Sequence, residues 1–287
     1  MEVPFRLVDV FTERALAGNQ LCVVPEPDDG LDDALMLAIA REIGFSETTF
    51  VTEASGDRYA MRIFTPGEEL PFAGHPTLGT AFVLAAEGRI SSPATQVVKA
   101  GEFHVEIDVG GGLARVRQHA PEFGPEVKAI GPLAEAVGLP ERDLRTDLWP
   151  RVVSTGIGHL MVPAKDAEGV ARARPTSDAV DAMLREHGAG GLYLFAVVDD
   201  GEAKARMFAP GVGVAEDPAT GSAAGPLGAY LAHHGVAGMP GRLRIRQGDE
   251  VRRPSELHVE VRTDGDSFEV WVEGGVVIVG RGVFELA

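Results

Sequence analysis

Two stretches of this chain end in residues able to move protons or hold an anion, and they are copies of one pattern. Residues 62–84 read RIFTPGEELPFAGHPTLGTAFVL, and residues 206–231 read RMFAPGVGVAEDPATGSAAGPLGAYL. Arg62, Phe64, Pro66 and Gly67 recur 144 positions on as Arg206, Phe208, Pro210 and Gly211. Gly74 recurs as Gly221 after three extra residues, so His75 and Ser222 hold equivalent places. A pattern seen twice at so long a period indicates a duplicated domain rather than a solenoid. Each copy runs from a loop into an apolar helix. A helix start offers unpaired N–H groups and partial positive charge, which suit an anion such as a carboxylate. Two such junctions facing one cleft are expected to form a clamp.

The side chains near these junctions each carry two readings. Glu47, in GFSETTFV, lies after a helix and before a strand. Between Phe45 and Phe50 its carboxylate can be desolvated, raising its pKa towards the range useful for acid–base work. On local sequence alone the reading as a surface turn glutamate is favoured. His75, in AGHPTLG, precedes a proline suited to the first turn of a helix. The helix dipole there disfavours imidazolium, so a neutral imidazole is expected, able to donate to a substrate oxygen or relay a proton. Capping or packing is the alternative. Ser222 is a natural N-cap residue. Asp217, before Pro218, either braces the turn or holds a substrate amine, and Glu216 beside it is easily confused with it. Gly74 and Gly221 let backbone approach a ligand or supply a turn with positive φ. Asn19, in AGNQLCVV, closes a turn, caps a backbone group or contacts ligand.

The elements that must position these residues follow from the hydrophobic pattern. Strands are expected at 4–10 and 20–25, and an amphipathic helix in LDDALMLAIAREIGF, with Leu31, Leu35, Ile39 and Ile43 on one face. Strands 48–52 and 59–64 flank a turn at Ser55–Gly56–Asp57. TLGTAFVLAAEG is apolar all round, a helix buried on every side and ended by Gly88. Strands follow at 95–99, 103–109 and 113–118. The second half replays this order, with a helix at 176–187, strands at 192–198 and 203–208, and a buried helix in AAGPLGAYLAHHG. Pro226 is expected in or near its first turn. Strands near 243–247, 256–262, 267–273 and 276–285 complete the chain. The fold class is α+β, with two pseudo-symmetric domains, each a mostly antiparallel curved sheet around a central apolar helix. Residues 1–118 are expected to form one domain, joined by a returning strand at 278–287, and residues 119–277 the other. The hinge is placed near 117–125, where HAPEFGP is rich in proline and glycine, and the active site in the cleft between the domains.

Composition narrows the function. A formal net charge of −17 repels nucleic acid and anionic membrane surfaces, so neither is an expected partner. Cys22 is the only cysteine and sits in an apolar strand, where it reads as a small core residue. No signal-type leader or membrane-spanning apolar run is evident, which points to the cytoplasm. There is no phosphate-binding loop, dinucleotide fingerprint or zinc-type spacing. No cofactor or metal is expected. The pair His233–His234 reads as a charge partner for a helix C-terminus.

Taken together, DVFTERALAGNQLCVV, GFSETTFV, RIFTPGEELPFAGHPTLG, EDPATGSAAGPLGAYL and QGDEVRRPSELHVEV resemble the PhzF family of phenazine-biosynthesis isomerases over essentially the whole chain. The resemblance implies the diaminopimelate-epimerase-like fold. That fold's best-known members, the cofactor-independent epimerases and racemases, place a cysteine on each side of the substrate. This chain has His75 and Ser222 there instead. The resemblance further implies that Glu47 is the proton shuttle and that His75, Asp217 and Ser222 complete the site. Amides around Gly74 and Gly221 would hold the substrate carboxylate, and the protein would be a homodimer. The implied reaction is cofactor-free proton transfer on a small amino or hydroxy carboxylate, in the characterised case isomerisation of trans-2,3-dihydro-3-hydroxyanthranilate. Two carboxylates serving one pocket are expected to push one pKa upward.

Overall fold

The computed structural model describes residues 1–26, 30–236, 238–265 and 267–286. The chain divides into two compact units, Met1–Arg117 with Glu273–Ala287, and Gln118–Val272. Ala287, the end of the expected strand 278–287, lies outside the described residues. No described helix is long and apolar enough to cross a membrane.

The first unit contains β1 (Glu2–Val10), β2 (Asn19–Val24), α1 (Asp33–Ile43), β3 (Glu47–Ser55), β4 (Arg58–Phe64), β5 (Glu69–Leu70), α2 (Gly74–Ala86), β6 (Ala94–Val98), β7 (Gly101–Asp108) and β8 (Leu113–Arg117). Strands β1 and β2 are antiparallel, β2 and β3 parallel, β3 and β4 antiparallel, and β4 and β6 parallel; β6, β7 and β8 follow antiparallel. Helix α2 packs against β1, β2, β3, β6, β7 and β8, and every residue from Gly74 to Leu84 is buried. Burying Leu78, Phe82, Val83 and Leu84 stabilises the unit by roughly 1.5–3 kcal/mol each. Helix α1 covers a separate cluster that includes Leu31, Met36, Ile39, Phe50 and Phe64. Asp32 caps it by accepting the Leu35 N–H at 2.8 Å, and Gly44 ends it in the left-handed conformation.

The second unit contains β9 (Glu122–Glu126), α3 (Ile130–Val137), β10 (Arg151–Ser154), β11 (Gly158–Pro163), α4 (Ala167–Arg172), α5 (Ser177–His187), β12 (Gly191–Asp199), β13 (Glu202–Ala209), β14 (Val214–Asp217), α6 (Gly221–His233), β15 (Arg242–Gln247) and β16 (Ser255–Asp264). Its pairing repeats the first unit's alternation. Strands β11 and β12 are parallel, β12 and β13 antiparallel, β13 and β15 parallel, and β15 and β16 antiparallel. Helix α6 packs against β10, β11 and β16 and is buried from Gly221 to Leu231. Both central helices end alike, with Gly88 and Gly235 in the left-handed region just past the cap.

Several local features depart from the sequence pattern. The units divide between Arg117 and Gln118, within the stretch 117–125 expected as a hinge, but the later part of that stretch belongs to β9, paired with β10. Pro226 is the sixth residue of α6, beyond the first turn, so it removes one i to i−4 hydrogen bond and leaves the Ser222 carbonyl without that partner. The strands expected at 267–273 and 276–285 are one strand, β17 (Ser267–Glu285). Gly274 and Gly275 do not break it. A Cβ on Gly274 would lie 2.2 Å from Phe11 Cδ1, and one on Gly275 2.5 Å from the Thr12 carbonyl. Gly274 admits the Phe11 ring and Gly275 the Thr12 backbone, and Phe11 N–H donates to Gly275 O at 2.7 Å.

Glycines inside the two central helices serve the same end. A Cβ on Gly79 would meet Leu21 Cδ2 at 2.7 Å, and one on Gly228 would meet Val259 Cγ1 at 2.7 Å. Alanine is better than glycine in a helix by about 1 kcal/mol, but overpacking a core costs about 1–3 kcal/mol. Gly79→Ala and Gly228→Ala are therefore expected to lower the urea midpoint. A rise in either would show that the sheet yields to the helix.

Candidate active site

The first unit gathers four polar side chains at the start of α2. His75 is its second residue, and Asn19 opens β2. Asn19 Nδ2 lies 3.2 Å from His75 Nδ1, and Asn19 Oδ1 accepts from Ser46 Oγ at 3.4 Å. The Ser46 bond sets the amide so that Nδ2–H donates to His75 Nδ1. That leaves the ring proton on Nε2, which faces Glu47 Oε2 at 3.4 Å. Glu47 opens β3. Its side chain is only 15% exposed, and its Oε2 makes no hydrogen bond. Burial pushes its pKa up from 4.5 to about 7, against a smaller lowering by the Ser46 hydrogen bond. The lift comes from desolvation rather than from a second carboxylate.

The second unit gathers another set at the start of α6. Thr220 Oγ1 donates to Asp217 Oδ2. Gln247 Nε2 donates to the Asp217 carbonyl at 2.8 Å and to Thr220 Oγ1 at 3.0 Å, and its Oε1 accepts from Tyr193 at 2.9 Å. Asp217 therefore does brace its turn. Glu216 is set apart from it by a bidentate pair with Arg206, at 2.8 and 2.7 Å. Arg62 grips Glu69 in the same manner in the first unit, at 2.8 and 2.9 Å. Each guanidinium also sits 5.0 Å from the ring of its repeat phenylalanine, Phe64 or Phe208. Ser222 Oγ lies 3.1 Å from Nε2 of His159, a buried residue of β11. Gln118 reinforces the same helix start by donating to Gly221 O at 2.9 Å, while its own Oε1 accepts from Thr155.

Gly74 and Gly221 do not provide turns with positive φ, because each is the first residue of a helix and neither has a left-handed backbone. What they place is a helix N-terminus. Neither Ala73 nor Thr220, the residues that precede them, makes a side-chain cap, so no cap side chain competes with an anion there. Cys22 is fully buried and its thiol is pushed up to about 12 by burial, which makes it an inert core group. His234 is not a charge partner for its helix end. Its ring packs on Tyr230, and burial, then the neighbouring positive charges, lower its pKa. Among the described residues, no three histidine, cysteine or acidic side chains converge as metal ligands would. Sequence reasoning did not single out Ser46, His159, Thr220 or Gln247. Ser46 and Thr220 were within reach, since each stands beside or close to a named candidate. His159, in GHLMVP, carries no local signal.

A mixed sheet wrapped on a buried helix, repeated in two units, defines an epimerase-like fold. Comparison with known proteins makes the class specific. The model of the phenazine biosynthesis-like (PhzC-PhzF) family matches residues 8–282. The trans-2,3-dihydro-3-hydroxyanthranilate isomerase of Pseudomonas fluorescens is 33% identical, with 98% of each chain covered. An uncharacterised isomerase of Deinococcus radiodurans is 36% identical, covering 96% of this chain and 92% of its own. A crystal structure of a PhzF-family protein from Bacillus anthracis superposes with a TM-score of 0.88 at 28% identity, covering all of both chains. At the level of the fold alone, a proline racemase from Agrobacterium radiobacter matches with a TM-score of 0.65 at 13% identity. The chain belongs to the phenazine biosynthesis-like family and is an isomerase.

The raised pKa of Glu47 has a thermodynamic signature. With its folded pKa above its unfolded one, the native state holds an extra proton between about pH 4.5 and about 7, so this group's contribution to stability is lost as the pH rises through that window. Glu47→Gln removes the loss. The variant is expected to exceed the unaltered protein in stability above pH 7, by up to about 3 kcal/mol, with the gap closing below about pH 4.5. Urea midpoints at the two ends of the range check this; a gap independent of pH would contradict it.

Proposed function

We propose that this isomerase moves a proton on a small cyclic amino or hydroxy carboxylate, trans-2,3-dihydro-3-hydroxyanthranilate or an analogue, by acid–base catalysis at Glu47 and without a cofactor. The observation that carries this reading is the buried Glu47 carboxyl, poised by desolvation at about 7 and facing His75. A base of that pKa is half ionised near neutrality. It can both accept a carbon-bound proton and return it. In the proposed step Glu47 takes a proton from one ring carbon, the electron pair shifts through the adjacent double bond, and Glu47, whose proton exchanges with solvent, delivers a proton to another ring carbon. No atom is gained or lost.

His75 is proposed to donate through Nε2–H to an oxygen on which charge develops, a role supported by Asn19 holding its other nitrogen. Asp217 is proposed to hold the substrate amine, and Ser222 with the amides at Gly221 its carboxylate. The sequence repeat gives His75 and Ser222 the same place at the two helix starts. The isomerase of Pseudomonas fluorescens makes its named substrate the first one to try.

In deuterated buffer, NMR of the protein with that substrate is expected to show loss of the starting ring signals and deuterium at the carbon that receives the proton. Glu47→Gln should keep the fold and bind ligand but lose turnover by at least about a hundredfold. The plot of kcat/KM against pH should rise through about 7 as Glu47 ionises. A Glu47→Gln rate near the unaltered one would remove Glu47 from the mechanism. Exchange seen only with a different amino or hydroxy carboxylate would retire the phenazine precursor and keep the chemistry.

A further inference from the structure

The two units treat the start of their central helix differently. Thr48 pairs with Phe64, and Leu192 pairs with Phe208. Since Phe64 and Phe208 are repeat partners, Glu47 and Gly191 hold the same place in their units. The second unit thus has no acid there. A Cβ on Gly191 would lie 3.0 Å from His159 Nδ1 and 2.7 Å from Met207 Cε. The missing side chain leaves room for the imidazole of the neighbouring strand, where His159 is the direct partner of Gly191. That imidazole reaches the helix start, with its Nε2 3.1 Å from Ser222 Oγ.

We propose that His159 is a positioning residue, whose Nε2–H donates to Ser222 Oγ and thereby turns the serine hydroxyl hydrogen outward as a donor to the substrate carboxylate. This deepens the isomerase reading above and rests on it for the identity of the ligand.

The tautomer follows from burial. His159 is 2% exposed, and its Nδ1 is buried with no hydrogen-bond partner. A buried N–H without an acceptor is among the rarest features of folded proteins, whereas a bare lone pair is better tolerated. The proton therefore sits on Nε2. Ser222 Oγ accepts it, and the hydroxyl hydrogen cannot point back at the ring. Ser222 is the second residue of α6, so its hydroxyl lies at the positive end of the helix as a further donor to an anion. Burial also pushes the His159 pKa down to about 4. A ring that resists protonation this strongly is a poor proton carrier but a constant donor across the working pH range. This separates His159 from His75, which faces a carboxylate.

Ring-nitrogen NMR of the full-length protein labelled at histidine tests the tautomer without any substrate, so it can fail independently of the isomerase reading. His159→Gln identifies the signal. The expected pattern is a neutral ring protonated at Nε2 that does not titrate above about pH 5. A ring protonated at Nδ1, or one titrating near the ordinary value of about 6.5, overturns the proposal. Kinetics then test the consequence. His159→Leu should raise KM for the carboxylate substrate about tenfold or more, with kcat within about twofold. His159→Gln, whose side-chain N–H can reach the same serine, should recover most of the loss. In a Ser222→Ala background, His159→Leu should add nothing further. A fall in kcat at unchanged KM, or no rescue by glutamine in a folded protein, would make His159 a relay or a packing residue instead.

Discussion

A helix buried on every side carries the free N–H groups of its first turn into the protein with it. That constraint governs both units. Helices α2 and α6 have no polar face to show solvent, so sheet must cover them, and glycines within them let the strands come close. Side-chain caps of the kind that Asp32 and Asp166 give α1 and α4 are absent at their starts. The partial positive charge at each start is left for an anion. In a chain of net charge −17, each start is a local point of positive potential.

Burial also sets the chemistry, with opposite signs for opposite charges. Desolvation disfavours whichever form is charged. It lifts Glu47 to about 7 and drops His159 to about 4. The first group becomes able to exchange a proton near neutrality, and the second becomes locked as a neutral imidazole. No strong local charge is needed for either result.

Duplication preserved the bracing and released the chemistry. Arg62 with Glu69 and Arg206 with Glu216 are the same device, a bidentate ion pair laid over a phenylalanine. Such a pair stiffens the loop that feeds each central helix, and loop geometry there decides where the helix begins. Glutamate and histidine stand in one copy where glycine and serine stand in the other. A neighbouring-strand histidine fills the space the glycine leaves.

The sequence by itself determined the duplication, the α+β class, the two buried helices and the family. Each rests on information that is local or repetitive: an apolar run with no polar face, a glycine at a helix end, a motif met twice. It also marked Glu47, His75, Asp217 and Ser222, because each stands at a junction where an element starts or ends. Local pattern could not reveal the partners. Asn19 reaches His75 across 56 residues and His159 reaches Ser222 across 63, through strand pairings that no local periodicity encodes. Nor could it place the glycines. Gly274 and Gly275 read as a break in a strand, but the Phe11 ring and the Thr12 backbone pack where their side chains would be. Whether a carboxylate is a surface turn residue or a desolvated base depends on what covers it, and covering is decided only when distant strands close over the helix.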